Sequence, residues 1–168
     1  NTSASTDNGG FVLSKNSNKW KFYLDTTGSS GWVVAESNVT VVSNSWQHLC
    51  VTWDGSTITM YLNGQPQTTT ASASQIVYNA DTETIIGEYS GSYFGGGISN
   101  TAIFNTGLSA TGSNSVETLY NNGTPLTDMS SFSSLVSWWK LDNTTTGIGN
   151  YLSNYTTAVD FNYLDTDY

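Results

Sequence analysis

The stretch from Trp46 to Gly64, WQHLCVTWDGSTITMYLNG, constrains the fold more than any other part of the chain. Leu49, Val51 and Trp53 alternate with His48, Cys50 and Thr52, the period of two expected of a strand with one face turned inward. Asp54-Gly55 follows, and glycine accepts the positive φ that a tight hairpin turn requires. Ile58, Met60 and Leu62 then alternate with Thr59 and Tyr61 up to a second turn pair, Asn63-Gly64. The stretch predicts a β-hairpin, and nothing in it has the residue pattern of a catalytic site.

The remainder reads in the same way, as short alternating runs between turn formers. Strands are predicted at Phe11 to Leu13, Trp20 to Asp25, Gly31 to Glu36, Val39 to Val42, Ile76 to Tyr78, Thr84 to Gly87, Ile98 to Phe104, Leu135 to Leu141 and Thr157 to Phe161. Residues 65–75 read as a polar connection. One helix is predicted from Ser113 to Asn121, because Ser and Asn supply caps and Val116, Leu119 and Tyr120 form an apolar stripe. Asn122-Gly123 stops it. Strands at this spacing predict an all-β, two-sheet antiparallel jelly-roll sandwich with one short helix.

Composition narrows the function classes. The chain has 168 residues, enough for one domain with a sizeable core, and residues 1–168 are read as a single sandwich. Only 10% of residues are charged but 13% are aromatic, a balance unlike that of disordered chains. The formal charge is −9, every cation is a lysine and arginine is absent. Phosphate clamping and base readout rely on dense positive charge and Arg forks, so nucleic acid is excluded as a partner. No apolar run reaches the roughly 18 residues of a membrane span, so membrane insertion is not expected. Cys50 is the single cysteine, so an internal disulfide is impossible, and it reads as a small buried side chain. Neither a signal peptide nor a starting Met is visible, and Asn1 is read as the start of a processed or partial chain.

Three segments carry a resemblance to the laminin-G-like branch of the concanavalin A-like lectin/glucanase superfamily. The first joins Trp46-Gln47-His48, Val51-Thr52-Trp53-Asp54-Gly55 and Tyr61-Leu62-Asn63-Gly64. The second joins Ile86-Gly87, Tyr93-Phe94-Gly95-Gly96-Gly97-Ile98, Ile103-Phe104-Asn105 and Leu108-Ser109-Ala110. The third is Leu119-Tyr120-Asn121-Asn122-Gly123. Ser99 stands where that family often has Asp, so any role of that carboxylate is lost here. The segment LVSWWKLDNTTTGIGN resembles a strand that often opens such domains, yet here it lies near the C-terminus. Residues 129–168 therefore supply completing strands or start a following repeat; the first is favoured because a lone Trp138-Trp139 strand would expose much apolar area. The wording of this segment is also similar to domains of marine bacteriophage structural proteins.

The resemblance implies a non-enzymatic adhesion or decoration module, extracellular or on a virion surface, that binds a glycan or polysaccharide weakly and through many copies. The alternative is a purely structural subunit that contacts other copies, or virion or filament subunits. A glycan hydrolase is the weakest alternative. Glucanases of the superfamily aim three alternating carboxylates at one cleft, and here Asp81-Thr82-Glu83 with Glu88 lacks the third member because Ile85-Ile86 occupies the continuation. His48, the single histidine, reads as a sheet residue hydrogen-bonded to its neighbours. Laminin-G-like domains often hold a calcium ion at the sandwich rim; Asp81 and Glu83 are the candidate ligands, with Asp25, Asp54 and Asp142 in other oxygen-rich loops.

Sugar C–H faces stack on aromatic rings, and hydroxyls take planar polar partners. Trp32, Tyr89, Tyr93 and Tyr151 lie in turn-rich contexts and are the candidate ligand-binding residues, whereas Trp20, Trp46, Trp53, Tyr61, Phe94 and Trp138 fit core positions. The sequons at Asn38, Asn122, Asn143 and Asn154 fit surface loops.

Overall fold

A computed structural model describes residues 10–27, 31–68, 70–77, 84–89 and 91–141, and the backbone of Tyr151–Leu152. The expected strand at Thr157 to Phe161 lies outside these residues. The chain divides into two compact units, residues 1–84 with 106–125 and residues 85–105 with 126–168.

In the first unit, β1 (Phe11–Asn16), β2 (Lys19–Asp25) and β3 (Trp32–Glu36) form an antiparallel sheet in sequence order. Ser17 and Asn18 both take positive φ, 51° and 63°, which closes the β1–β2 hairpin with a twist that suits its strands. β4 (Leu49–Trp53) and β5 (Thr57–Leu62) form the predicted hairpin, with Leu49 opposite Leu62, Val51 opposite Met60 and Trp53 opposite Ile58. Paired residues share a face, so the two apolar stripes combine. That face meets the one carrying Phe22, Leu24 and Ala35, and together with Ile58, Met60 and Ala73 these residues make the core. Trp53 lies against it and donates its indole N–H to the Ala73 carbonyl at 2.8 Å, which satisfies its polar end.

The opposite face of the hairpin is covered as well. Tyr61 is buried there beside Cys50, and burial pushes the Cys50 thiol up to about 12. The cover includes α1 (Val116–Tyr120), whose N-cap Ser115 accepts from the Thr118 backbone N–H at 3.2 Å. Tyr120 lies 5.7 Å from the His48 ring. At Gly64, φ is +74° and a Cβ would meet the Tyr120 ring at 2.7 Å, so the second turn of the hairpin needs glycine for both conformation and space.

Two short strands, β6 (Gln65–Pro66) and β7 (Ala71–Ser72), pair with β5 where a polar connection was expected. Conversely, Val39 to Val42 is not a strand. Its backbone is drawn into a loop, where Val41 N–H donates to the Asn18 carbonyl at 2.8 Å and the Ser37 hydroxyl to the Val39 carbonyl at 2.7 Å. Ile76, Val77 and Thr84 to Gly87 are also outside strands; Val77 N–H donates to the Asp25 carbonyl at 2.9 Å instead of entering a ladder. The helix is shorter than predicted, because Asn121 turns left-handed at φ 44° and Asn122 follows at 53°.

In the second unit, β8 (Glu88–Tyr89) and β9 (Ser92–Tyr93) form a small hairpin not foreseen as paired strands. β10 (Thr101–Phe104) is shorter than the Ile98 to Phe104 strand expected. It pairs with β11 (Leu135–Trp139), which in turn pairs with β12 (Tyr151–Leu152). Trp138 is buried, and its indole N–H donates to Asn100 Oδ1 at 2.9 Å. Ser99, in the place of the missing carboxylate, donates its hydroxyl to the Lys140 carbonyl at 3.1 Å.

Candidate ligand-binding surface

The expected ligand-binding aromatics do not form one site. Trp32 sits in β3 opposite Asp25, half-buried, in the first unit. Tyr89 and Tyr93 are on the β8–β9 hairpin of the second unit, 59% and 83% exposed. Tyr93 is paired with Glu88 and Tyr89 with Ser92. Neighbouring residues on a strand face opposite ways, so the two tyrosine rings lie on opposite faces of their hairpin. The hairpin's shape is set locally. Gly91 takes φ +76° in the turn and its N–H donates to the Glu88 carboxylate, while Phe94 N–H donates to the Gly87 carbonyl at 2.8 Å. Tyr151 is in β12, and its side chain lies outside the described residues.

Two aromatics assigned to the core are instead at the surface. Phe94 is partly exposed, and Trp46 is 73% exposed. The Trp46 assignment fails because Trp46 precedes β4, in the loop that leads into it, outside the ladder that sets Leu49, Val51 and Trp53 against the core. Nothing in the alternation distinguishes it from His48 and Cys50, which share its parity and are largely withdrawn from solvent.

The acidic candidates divide differently. Asp81, Glu83 and Asp142 lie outside the described residues. Asp54 Oδ1 accepts from the backbone N–H groups of Ser56 at 2.9 Å and Thr57 at 2.7 Å and from the Ser56 hydroxyl at 3.0 Å. These bonds, led by that from Thr57, hold its carboxyl below the usual range and commit it to the turn. Asp25 is buried, and its Oδ1 accepts from Thr27 N–H at 2.9 Å. Among the described residues no group of three or more His, Cys, Asp or Glu is placed to hold a metal ion.

His48 departs from the expectation of a hydrogen-bonded sheet histidine. Its backbone is held by Asn63, whose Oδ1 accepts from His48 N–H at 2.9 Å, but its buried Nδ1 has no hydrogen-bond partner among the described residues. Burial pushes its pKa below 6.5. The folded chain thus takes up this proton less readily than the unfolded chain. Stability is complete above about pH 6.5 and is lost as pH falls below it. The depressed carboxyls, Asp54 and Glu36, act in a lower window, below their ordinary 3.8 and 4.5. We expect a lower urea midpoint at pH 5.5 than at 7.5, with the difference removed in His48→Phe; an unchanged difference in that variant assigns it elsewhere.

Antiparallel sheets with one short helix, and no closed barrel among the described residues, are the architecture of a concanavalin A-like sandwich. A laminin-G profile described as the concanavalin A-like lectin/glucanases superfamily matches residues 2–112, and the chain belongs to that family. A comparison with curated proteins gives no match. Among solved structures, an S-layer domain-containing protein from Clostridium thermocellum is similar over 66% of this chain at 22% identity, with a TM-score of 0.39. This chain spans 61% of that structure. No helix among the described residues is long and apolar enough to cross a membrane.

Proposed function

We propose that this chain is a non-enzymatic adhesion module of an extracellular or virion-surface assembly, binding glycans weakly and gaining strength from multiple copies. The observation that carries this reading is Tyr93, 83% exposed on a hairpin whose turn is fixed by its own hydrogen bonds. An aromatic ring held out to solvent offers a stacking face at little conformational cost. Family membership supports a lectin-like module, and a virion surface is proposed as one such assembly. The expected result is binding of multivalent protein to at least one immobilised polysaccharide, with Tyr93→Ala weakening it about 5- to 30-fold, the scale of about 1–2 kcal/mol for one stacked ring. Absence of binding at millimolar ligand contradicts the reading.

A structural subunit is the second reading. Phe11 and Leu13, on the core-facing side of edge strand β1, remain 50% and 43% exposed, apolar area that a neighbouring subunit would cover. It predicts a contact burying more than roughly 1,000 Å², which sedimentation at increasing concentration detects. Calcium is proposed separately, at Asp81 and Glu83. A thermal midpoint that rises with calcium, returns with a chelator and loses this response in Asp81→Asn supports it, and an unresponsive midpoint refutes it.

A further inference from the structure

We propose that the loop from Ser37 to Gln47, which joins β3 to β4, is a second binding platform, on which Trp46 stacks against the C–H face of an uncharged sugar. This rests on the reading of the chain as a glycan-binding module, and it names both a site and a ligand class.

The loop is exposed, yet pinned to its surroundings. The Asn38 backbone N–H donates to Gln67 Oε1 at 3.0 Å, tying its start to the segment beyond β6. Val41 N–H donates to the Asn18 carbonyl at 2.8 Å, tying its middle to the β1–β2 turn. Gln47 Oε1 accepts from the Trp20 indole N–H at 3.1 Å and from Val42 N–H at 3.3 Å, closing the loop on itself and on β2. Immediately after it, the His48 and Asn63 backbones are bridged, with Asn63 N–H donating to the His48 carbonyl at 2.8 Å. A segment held at both ends and in the middle loses little further entropy when a ligand docks.

What this frame presents is an indole 73% exposed, flanked by Ser43, Asn44 and Ser45. Burying a large ring is favourable, so an indole left outside a core that had room for Trp53 marks a surface suited to an apolar contact. The chemistry of the contact follows from charge. From Ser37 to Gln47 there is no charged side chain, and the chain as a whole carries −9. Of the lysines beside the loop, Lys19 and Lys21 are both paired with Glu36, so the loop offers no dedicated cation to a sulfated or uronic polysaccharide, which the net −9 disfavours within the reach that salt screening leaves. A neutral pyranose offers a C–H face to the indole and hydroxyls to Ser and Asn side chains, all of which exchange hydrogen bonds without charge.

The test uses the full chain. Wild type, Trp46→Ala, Trp46→Phe and Tyr93→Ala are run through native gels containing hydroxyethyl cellulose or laminarin as neutral probes and dextran sulfate as the anionic one. Acrylamide quenching of tryptophan emission is measured with and without each probe. The expected result is retardation of wild type by a neutral probe and not by dextran sulfate. Trp46→Ala should raise the apparent Kd at least 10-fold, with Trp46→Phe intermediate. The neutral probe should shield wild type and Tyr93→Ala from acrylamide but not Trp46→Ala. Because Trp46 lies outside the core, circular dichroism of Trp46→Ala should match wild type.

Retardation that survives Trp46→Ala while Tyr93→Ala abolishes it overturns the platform and leaves the glycan-binding reading standing. Stronger retardation by dextran sulfate overturns the ligand class. Retardation of no variant in any gel overturns both readings. A concentration-dependent dimer that Trp46→Ala dissolves makes the loop a self-association surface, and overturns the platform.

Discussion

Met60→Ala should lower the unfolding free energy by about 2–5 kcal/mol, a large part of the total for a domain of this size. Met60 is fully buried and lies opposite Val51 in the β4–β5 ladder. It belongs to the cluster in which Ile58 from the same strand meets Phe22, Leu24 and Ala35 from the facing sheet. Truncation removes three heavy atoms from the middle of that contact. Its neighbours are themselves ladder residues, and the backbone pairing on each side limits how far they can collapse into the cavity. Met60→Leu keeps most of the volume and should cost less than about 1.5 kcal/mol. Urea denaturation followed by tryptophan fluorescence distinguishes the two, and equal losses in both variants would contradict this picture of the core.

The second large effect lies in the other unit. Trp138→Ala should cost about 3–5 kcal/mol, the range for removing a buried aromatic. Trp138 is buried in β11, and Lys140 Nζ sits 4.8 Å from its ring centroid. Its indole N–H is the donor to Asn100 Oδ1, and two further hydrogen bonds hold Asn100 in place. Asn100 Nδ2 donates to the Leu126 carbonyl at 3.2 Å and its backbone N–H to the Lys140 carbonyl at 2.9 Å, with φ at 51°. Removing the indole thus opens a cavity and frees an acceptor in a turn already held left-handed. Trp138→Phe retains the ring body but not the N–H, and should fall between wild type and Ala. Chemical denaturation read by near-ultraviolet circular dichroism measures both, and a Trp138→Ala variant as stable as wild type would show that this ring does not hold β10 and β11 together.

The elements most legible in the sequence were those whose pattern and turn chemistry agreed. The β4–β5 hairpin was readable because strict alternation on both sides met Asp54-Gly55, and the register pairs the stripes as the pattern requires. The helix was readable from Val116, Leu119 and Tyr120, although successive left-handed Asn residues end it early. The failures have physical causes too. Val39 to Val42 has the composition of a strand, but Gln47 and Asn18 capture its backbone hydrogen bonds and hold it as a loop. β6 and β7 were missed because two-residue strands in a Thr- and Ser-rich segment carry no alternation to detect.

The candidate surface was legible only in part. Tyr89 and Tyr93 were expected outside and are outside, but their placement on opposite hairpin faces depends on register, which sequence alone does not set here. Trp46 was misplaced because aromatic residues near a strand invite a core assignment, and sequence does not show that β4 starts only at Leu49, leaving Trp46 in the preceding loop.

On the proposed reading, a family scaffold displays exposed aromatics to neutral glycans. The most direct measurement is binding of a multivalent form of the whole chain to an array of neutral and anionic polysaccharides. The account predicts retention on one or more neutral polysaccharides, weaker in both Tyr93→Ala and Trp46→Ala, and none on sulfated ones. Retention on no polysaccharide, or retention equal in wild type and both variants, would contradict it.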